Sequence, residues 1–348
     1  MRIAQVAPLF ESVPPQLYGG TERVVSHLTE ELVRQGHEVT LFASGDSATS
    51  ARLVAPVARA LRLGDGCPDP IARHVLLLEQ MWKQRHQFDV IHSHVGYLLY
   101  PRARLHRVPS LTTLHGRLDL ADLADVYAEF DDIPVVSISN AQRAPLPRAN
   151  WMATVYHGLP DEMLSFNPVP GRYLAFLGRI SPEKGPDRAI EIAGRVGMRL
   201  RIAAKVDPAD RQYFAEVVKP MLKQPHVEWV GEISDAEKSD FLGGAHALLF
   251  PIDWPEPFGL VLIEAMACGT PIVAYARGSV PEIVEDGVTG FVVPSVDQAV
   301  TAVEAVAGLD RARCRSTFEA RFSAARMARD YVSIYERLAR SCATRCSA

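Results

Sequence analysis

The amino-acid sequence predicts an α/β protein built from two parallel β-sheets, each covered by helices on both faces. Three observations support this fold class. Short apolar runs that suit buried strands alternate along the chain with segments of helical spacing, and the loops between them are short. The alternation breaks at a proline-rich crossing, residues 157–170, and then starts afresh. The chain has 348 residues, which suits two domains of ordinary size better than one.

The composition is that of a globular protein, with 48% hydrophobic and 22% charged residues. The formal net charge of −4 gives no electrostatic footprint for nucleic acid. No apolar run approaches the roughly 18 to 20 residues of a membrane span, and Pro8 breaks the first apolar run too early for a signal peptide. The 5 cysteines show no metal-ligand spacing, and their odd number argues against a disulfide framework. A reducing cytoplasm is therefore the expected setting.

The first half opens as a Rossmann-like unit of strand, glycine-bearing loop, helix and strand. Residues 2–7 form the first apolar run, residues 24–33 have helical spacing, and residues 37–43 form the next strand. The GxGxxG fingerprint of dinucleotide-binding proteins is absent from the first turn. Gly19 and Gly20 in that turn either let the backbone approach a ligand or form a flexible surface turn.

Polar side chains follow the later strands of the first half. Residues 52–72 are poorly patterned, and residues 76–87 have helical spacing. The further predicted strands are residues 88–94, 109–114, 132–139 and 152–156. His115 follows the second of these strands, at the edge where open parallel sheets place their binding sites. A lone histidine is also often a packing or capping residue, so the residues alone leave both roles open.

The second half repeats the alternation without a detectable sequence repeat. Its predicted order is strand 173–178, helix 186–196, strand 200–205, helix 207–222, strand 227–231, helix 235–243, the strand–loop–helix–strand segment 247–274, strand 290–293 and helices to the end. Arg179 follows the first strand, and Lys184 stands five residues on, just before a helix opens at Pro186. Two cations beside a helix N-terminus predict an anion site; the alternative is a solvated surface pair.

Two glutamates stand out in segment 247–274. Its helix is apolar almost all round, so burial is expected, and Gly269 ends it. Glu264 lies in the middle of this helix, where a carboxylate must be neutralised, hydrogen-bonded by protein or turned toward ligand hydroxyls. Glu256 lies eight residues earlier, and the helix start that follows it offers a phosphate cradle of backbone N–H groups at Phe258, Gly259 and Leu260. The alternative is that both glutamates are surface or salt-bridged residues.

Three motifs stand in the same order as in a known family. Glu256 and Glu264 have the E-x7-E spacing, residues 178–185 (GRISPEKG) look like a donor-phosphate loop, and residues 19–22 (GGTE) look like a first-loop GGxE pattern. Together the pieces resemble the family 4 glycosyltransferases, and the resemblance spans about residues 2–340. It implies the GT-B architecture, in which two Rossmann-like doubly wound domains with parallel sheets face each other across a cleft.

The resemblance implies a role for each motif residue of the second half. Arg179 and Lys184 would bind the diphosphate of a nucleotide sugar, and Glu264 would hold its ribose hydroxyls. Glu256, with the amides of residues 258–260, would hold the transferred sugar and a phosphate. Negative charge develops on the departing nucleoside diphosphate, so fixed cations and N–H donors at these positions would lower the barrier.

The remaining site residues come from the resemblance in the same way. His115 would contact the sugar near the reacting carbon from the opposite domain, and Gly19 and Gly20 would close over the phosphates. Gly231, at the end of a predicted strand, completes the donor-binding set. No D-x-D pair is evident where a metal-dependent transferase needs one, so neither a metal nor another cofactor is expected.

The implied domains are an acceptor-binding domain at residues 1–165, a donor-binding domain at residues 166–322, and a helix with a tail at residues 323–348 that crosses back toward the first domain. The implied reaction is metal-independent transfer, with retention of configuration, from a nucleotide-diphosphate sugar to a hydroxyl acceptor. UDP is favoured over GDP or ADP. A lipid-linked sugar, a polysaccharide or an antibiotic glycoside would serve as acceptor. The rivals are a non-hydrolysing nucleotide-sugar epimerase and a non-catalytic nucleotide-sugar-binding protein.

Two positions depart from the family pattern. His157 stands where relatives usually carry Asn, and we expect it to affect the linker more than the chemistry. Ser279 stands where a second Gly is usual, so we expect an altered loop near the donor, which leaves the role of Glu282 open. A basic cluster predicts a solvated face rather than contact with an anionic acceptor or with the inner face of a membrane; it comprises Arg102, Arg104, His106 and Arg107.

Overall fold

The computed structural model describes residues 1–16, 19–62, 67–106 and 108–346, with side chains as far as residue 341. Within it the chain forms two compact units. The first unit contains Met1–Pro160 together with the C-terminal segment that begins at Ala324, and the second contains Asp161–Ser323. The C-terminal helix therefore packs with the first unit. The acceptor-binding and donor-binding roles of the two domains stay predictions.

The first unit contains a seven-stranded sheet in which every pair of neighbouring strands is parallel. Its strands are β1 (Arg2–Val6), β2 (Glu38–Phe42), β3 (Arg52–Val54), β4 (Val90–Ser93), β5 (Ser110–Thr113), β6 (Val135–Ser137) and β7 (Trp151–Thr154). Their spatial order is β3-β2-β1-β4-β5-β6-β7. The chain adds β2 and β3 on one side of β1 and the later strands on the other side, so the order of strands switches between β1 and β4. Open α/β sheets bind ligands beyond the carboxyl ends of the strands at such a switch point.

The helices of this unit cover an apolar core. They are α1 (Gly20–Arg34), α2 (Pro70–Lys83), α3 (Tyr100–His106) and α4 (Ala121–Glu129). Helix α2 buries Leu77, Met81 and Trp82 against this core. Its start was predicted too late, at residue 76, because the signal at the true start is a cap: the Asp69 side chain accepts from the backbone N–H of Ala72, ahead of a proline in the first turn.

Three further elements of the first unit were not predicted. Strand β3 falls in the poorly patterned stretch 52–72, where only three residues pair with β2. Helices α3 and α4 span only 7 and 9 residues, too few for helical spacing to show clearly against their polar flanks.

The second unit contains a six-stranded sheet, again with parallel neighbours throughout. Its strands are β8 (Tyr173–Arg179), β9 (Arg199–Lys205), β10 (Val227–Gly231), β11 (Ala247–Phe250), β12 (Ile272–Tyr275) and β13 (Gly290–Val293). The order β10-β9-β8-β11-β12-β13 places the switch point between β8 and β11. The loops after these two strands carry Lys184 and Glu256, two of the predicted donor residues. The prediction of two parallel-sheet α/β units is confirmed.

The helices of the second unit, followed by the C-terminal helix, are α5 (Pro186–Val196), α6 (Arg211–Tyr213), α7 (Lys219–Met221), α8 (Asp235–Gly243), α9 (Leu260–Ala267), α10 (Val280–Ile283), α11 (Val296–Ala305), α12 (Arg311–Arg321) and α13 (Ala324–Cys346). The predicted helix over residues 207–222 is irregular: a 3-10 turn at Pro208–Asp210 precedes α6, and a π-helical stretch at Phe214–Val218 separates α6 from α7. Pro220 explains the irregularity, because a proline inside a helix removes one backbone hydrogen bond and clashes with the preceding turn.

Candidate active site

Two loops meet at the switch point of the second sheet, one after β8 and one after β11. The backbone N–H of Asp253 donates to the carbonyl of Glu183 at 2.8 Å, and Arg188 Nη1 donates to the carbonyl of Pro251 at 2.7 Å. Gly185 adopts φ +67°, and a Cβ there would lie 2.4 Å from the Pro251 carbonyl oxygen. Only glycine therefore allows the loops to approach this closely.

Lys184 and Glu256 lie in these two loops and form an ion pair through Nζ and Oε2. The indole Nε1 of Trp254 donates to the same carboxylate oxygen at 3.1 Å, and Lys184 Nζ lies 4.8 Å from the centre of the Trp254 ring. The two charged side chains are only 18% and 10% exposed, so each reduces the cost of burying the other. The structure thus brings together two of the predicted donor residues.

The backbone after Glu256 leads directly into α9. Gly259 precedes the helix with φ +82°, and no side chain among the described residues caps the N-terminus. The N–H groups of the first helical turn carry the positive end of the helix dipole, and of these the N–H of Leu262 donates to the Gly259 carbonyl at 3.0 Å. Ser279 secures this segment, because its hydroxyl donates to the Phe258 carbonyl at 2.9 Å and its backbone N–H donates to the Glu256 carbonyl at 2.9 Å.

Glu264 lies in the middle of α9 and is buried, as predicted. The protein itself neutralises this carboxylate: Lys238 Nζ lies 2.6 Å from Glu264 Oε1, and the same ammonium group contacts Asp235 at 3.0 Å. A capping box of Ser234 and Glu237 begins α8 and fixes the helical turn that carries Lys238. The capping box was readable from the sequence, whereas nothing there marked Lys238 as the partner of Glu264.

Arg179 ends β8 and is surrounded by carboxylates. Its guanidinium pairs with Glu183, and it approaches Asp207 at 3.6 Å and Asp210 at 3.8 Å. Burial raises the pKa of Asp210, while the charge of Arg179 lowers it. A diphosphate that binds Arg179 must compete with these carboxylates.

The other three glycines predicted for the site have different structural reasons. Gly231 ends β10 with φ +90°, a conformation that side chains disfavour, although a Cβ there would meet open space. Gly19 precedes α1, and a Cβ on it would lie 2.7 Å from the Cβ of Pro15, so packing within the loop already requires glycine. Gly20 begins α1 and is exposed. The closure of Gly19 and Gly20 over phosphates stays a prediction.

His115 follows β5 in the first unit and lies in a cluster of histidines. Its Nε2 is 2.9 Å from His94 Nδ1, and His94 Nε2 is 2.8 Å from Gln5 Oε1. Burial lowers the pKa of His115 to about 3 and holds the pKa of His94 well below its usual range. Both rings are therefore neutral near pH 7.

The structure adds a contact for His157 that the sequence did not indicate. Its buried ring stacks on the His115 ring with an interplanar angle of 18° and a centroid separation of 5.3 Å. This position therefore bears on the candidate site directly. The expectation that it affects the linker more than the chemistry stays a prediction. Sequence spacing does not show the contact, because 41 residues separate the two histidines.

The C-terminal helix completes this polar network. The hydroxyl of Tyr335 accepts from Gln5 Nε2 at 3.2 Å and lies 2.7 Å from His92 Nδ1. Tyr331 is bonded in the same way through Thr113, whose hydroxyl lies 2.8 Å from the Tyr331 hydroxyl. All of these groups are buried, and their hydrogen bonds satisfy polar atoms in the core of the first unit.

Two family models match the chain. The model described as Glycosyltransferase Family 4 matches residues 18–176, and the model described as Glycosyl transferases group 1 matches residues 165–312. The chain belongs to glycosyltransferase family 4. The predicted family is confirmed, and both matching family models describe glycosyltransferases.

Individual relatives agree with this assignment. The D-inositol 3-phosphate glycosyltransferase of Kribbella flavida is 30% identical over 292 residues, which cover 68% of this chain and 66% of that protein. AviGT4, a glycosyltransferase involved in avilamycin A biosynthesis, is 27% identical with a TM-score of 0.74, and the match covers 97% of this chain and 98% of AviGT4. HepE of Anabaena, solved with UDP and glucose, is 18% identical with a TM-score of 0.75 over 97% and 100% of the two chains. The GT-B fold is thereby confirmed.

Outside the candidate site, the structure of this family 4 member bears on the basic cluster, on membrane-spanning helices and on metal-binding groups. Arg102 pairs with Glu79 at 2.8 Å, and Arg104 pairs with Glu129 and Asp132, so the carboxylates of the first unit already bind these two cations. Arg107 lies outside the described residues. Among the helices that the structure describes, none is long and apolar enough to cross a membrane. The same residues contain no group of three or more His, Cys, Asp or Glu side chains that could hold a metal ion.

Proposed function

We propose that the protein transfers a sugar from a nucleotide-diphosphate sugar to a hydroxyl acceptor, with retention of configuration and without a metal ion. A UDP-sugar is the favoured donor. The observation that carries the proposal is the meeting of Lys184, Glu256 and the uncapped start of α9 at the switch point of the second sheet. These groups, contributed by two adjacent loops, provide a cation, backbone N–H donors and a hydroxyl acceptor, as a sugar diphosphate requires.

In this proposal the diphosphate replaces carboxylates as the partner of two cations. Lys184 leaves Glu256, and Arg179 leaves the carboxylates that surround it. The exchange frees Glu256 to accept hydrogen bonds from hydroxyls of the transferred sugar. Glu264, held by Lys238 through one oxygen, accepts from the ribose hydroxyls. Both cations change partners when the donor binds, so they are in place before the bond breaks and stabilise the charge that develops on the leaving phosphate.

The chemical step is a displacement on one face of the sugar. The bond between the anomeric carbon and the diphosphate oxygen breaks, and the acceptor oxygen forms the new bond from the same face. The hydroxyl proton passes to the departing diphosphate. Lys184 and Arg179 would stabilise this leaving group, and His115 would contact the sugar near the reacting carbon. We assign no covalent role to Glu256.

The proposed acceptors come from the family resemblance and from the name of one relative. The proposed acceptors are a lipid-linked sugar, a polysaccharide end or an antibiotic glycoside, and D-inositol 3-phosphate joins them because a relative at 30% identity carries that substrate in its name. D-inositol 3-phosphate is the first acceptor to test. We propose a cytoplasmic location, with peripheral contact at the inner face of the membrane if the acceptor is lipid-linked.

Thermal unfolding against nucleotides tests the donor site. Wild type, Lys184→Ala and the exposed control Lys223→Ala are each unfolded with UDP, GDP, ADP, NAD or inorganic phosphate. A ligand at about 100 times its dissociation constant adds roughly 2.7 kcal/mol of stability, enough to raise the melting temperature by several degrees. We expect UDP to stabilise wild type and Lys223→Ala but not Lys184→Ala. Stabilisation by NAD alone, or by no nucleotide, would contradict the proposed donor.

Product analysis separates transfer from its two rivals. An epimerase would convert the donor into another nucleotide sugar without any acceptor, and a non-catalytic binding protein would leave the donor unchanged in every mixture. We expect UDP release that accelerates when an acceptor is present, with the sugar recovered on that acceptor. Chromatography of donor, UDP and acceptor after incubation with UDP-glucose distinguishes the three outcomes.

A further inference from the structure

His115 lies at the end of a chain of hydrogen bonds that starts at the side-chain amide of Gln5. Its Nε2 donates to the Tyr335 hydroxyl at 3.2 Å, which directs its Oε1 toward His94 Nε2 at 2.8 Å. An amide oxygen can only accept, so the proton of neutral His94 must lie on Nε2. Its Nδ1 is then an acceptor.

The same reasoning fixes the proton of His115. Its Nε2 lies 2.9 Å from the acceptor Nδ1 of His94 and must therefore donate. The opposite nitrogen, His115 Nδ1, consequently carries a lone pair and no proton. This atom is buried and has no hydrogen-bond partner among the described residues. Buried polar atoms normally have partners, so an acceptor without one indicates that a ligand supplies the donor.

The plane of the His115 ring is fixed by a second contact. The ring of His157 stacks on it with an interplanar angle of 18°. His94 therefore sets the direction of the ring edge, and His157 sets the tilt of the ring. The two contacts come from different loops, after β4 and β7, and both lie within the first unit.

We propose that Gln5, His94 and His157 are positioning residues that hold His115 as a hydrogen-bond acceptor for a hydroxyl group of the transferred sugar. This inference rests on the proposed function, in which His115 contacts that sugar. It also determines what His115 cannot bind: an unprotonated nitrogen repels phosphate oxygens, so the ring selects a hydroxyl and not the diphosphate. The residue that differs from the family, His157, thereby belongs to the sugar site.

Imidazole nitrogen NMR tests the proton positions without any substrate. Protein labelled with 15N in its histidines is compared with His115→Gln, which identifies the His115 signals. We expect His115 to show a protonated Nε2 and an unprotonated Nδ1 near pH 7. In His94→Leu the ring should populate both tautomers, and His94→Asn, which keeps an acceptor oxygen near the same place, should restore one. If His94→Leu does not fold, Gln5→Leu tests the same bond.

A proton found on His115 Nδ1 in wild type would overturn the proposal, and so would an unchanged tautomer in His94→Leu. Because no donor or acceptor is present, these outcomes do not depend on whether the protein is a transferase.

Turnover then tests positioning. The assay follows UDP release from UDP-glucose by equal amounts of folded protein. We expect about a tenfold loss of kcat/KM in His94→Leu, which corresponds to one hydrogen bond of ordinary strength, and recovery in His94→Asn. His157→Asn should lose about threefold and His157→Phe should retain the stack. Equal losses in His94→Leu and His94→Asn would contradict positioning by hydrogen bonding. Absence of UDP release from wild type would instead contradict the proposed donor and leave the NMR result standing.

Discussion

The candidate site residues of the two units differ in charge: those of the second unit are mostly ionised, and those of the first unit are neutral. In the second unit, Lys184 and Lys238 are each paired with a glutamate in the loops and helices beyond the strands. In the first unit, the polar groups on β1 and β5, in the loops after β4 and β5, and on α13 are amide, imidazole and hydroxyl groups joined by hydrogen bonds. Ion pairs dominate one region and neutral hydrogen bonds the other.

The difference indicates what each region does before a substrate arrives. A cation paired with a carboxylate is already partly desolvated and can exchange one anionic partner for another, as binding of a diphosphate demands. A chain of neutral hydrogen bonds has no charge to exchange, but each bond fixes the proton of the next group. We therefore expect substitutions in the second unit to affect affinity and charge stabilisation, and substitutions in the first unit to affect orientation.

The largest expected effect is on turnover in Lys184→Ala. The substitution removes the cation nearest to Glu256, and we expect donor turnover to fall about 10²- to 10³-fold, the usual cost of losing one preorganised charge-stabilising group. The stability lost with the ion pair should return in the double variant Lys184→Ala/Glu256→Gln, because no unpaired buried charge remains. UDP release and thermal unfolding measure the two effects separately. Turnover close to wild type in Lys184→Ala would contradict the inference that the paired cations of the second unit stabilise charge during transfer.

The next effect concerns stability at the buried pair of Lys238 and Glu264. Their side chains are 12% and 4% exposed, so Lys238→Met leaves a carboxylate without a counter-charge, and we expect a loss of about 3 kcal/mol of unfolding free energy. Chemical denaturation measures this loss. The double variant Lys238→Met/Glu264→Gln should recover most of it. The matched control is Arg195→Met, whose partner Asp297 is exposed and whose loss should cost less than 1 kcal/mol.

Acid should weaken the first unit through its neutral histidines. The pKa of His115 is lowered to about 3 by burial, so below about pH 6.5 the unfolded chain binds a proton that the folded chain does not. The unfolding free energy must then fall as the pH falls from about 6.5 toward 3. His115→Gln removes this group, so its deficit relative to wild type should shrink by at most about 2 kcal/mol between pH 7 and pH 5. Denaturation curves at the two pH values check the sign; parallel curves would mean that the ring is protonated in the folded protein.

Most of the fold and half of the site could be predicted from the sequence, for local reasons. The E-x7-E spacing places Glu256 before α9 and Glu264 within it, because one short helix connects them. The cations Arg179 and Lys184 are likewise close in sequence: Arg179 ends β8, and Lys184 lies in the loop that follows. In both cases the spacing within a short stretch of sequence is enough to place the residues near the carboxyl ends of the strands.

The partners of these residues could not be predicted, because they come from distant parts of the chain. Lys238 reaches Glu264 from another helix, and the His157 ring reaches His115 across 41 residues. Tyr335 joins Gln5 from the opposite end of the sequence. Tertiary contacts of this kind have no signature in spacing or composition. The unusual residue types at positions 157 and 279 were the one available signal, and each proves to lie against a predicted site residue.

Ser279 provides the smallest effect and a test of how a family deviation supports the charged region. Its buried hydroxyl donates to the Phe258 carbonyl ahead of α9, and Ser279→Ala leaves that carbonyl without this donor. We expect the binding free energy of UDP to weaken by about 1 kcal/mol, which corresponds to roughly a fivefold higher dissociation constant. Ser279→Gly, the residue usual in relatives, should lose slightly more because it also loosens the backbone. The control is Ser316→Ala at an exposed position of α12, which should not change UDP binding. Unaltered UDP binding in both Ser279 variants would show that the Gly278–Ser279 turn holds the Glu256 backbone through main-chain hydrogen bonds alone. The ion-paired region of the second unit would then depend less on side-chain hydrogen bonds than the histidine cluster of the first unit does.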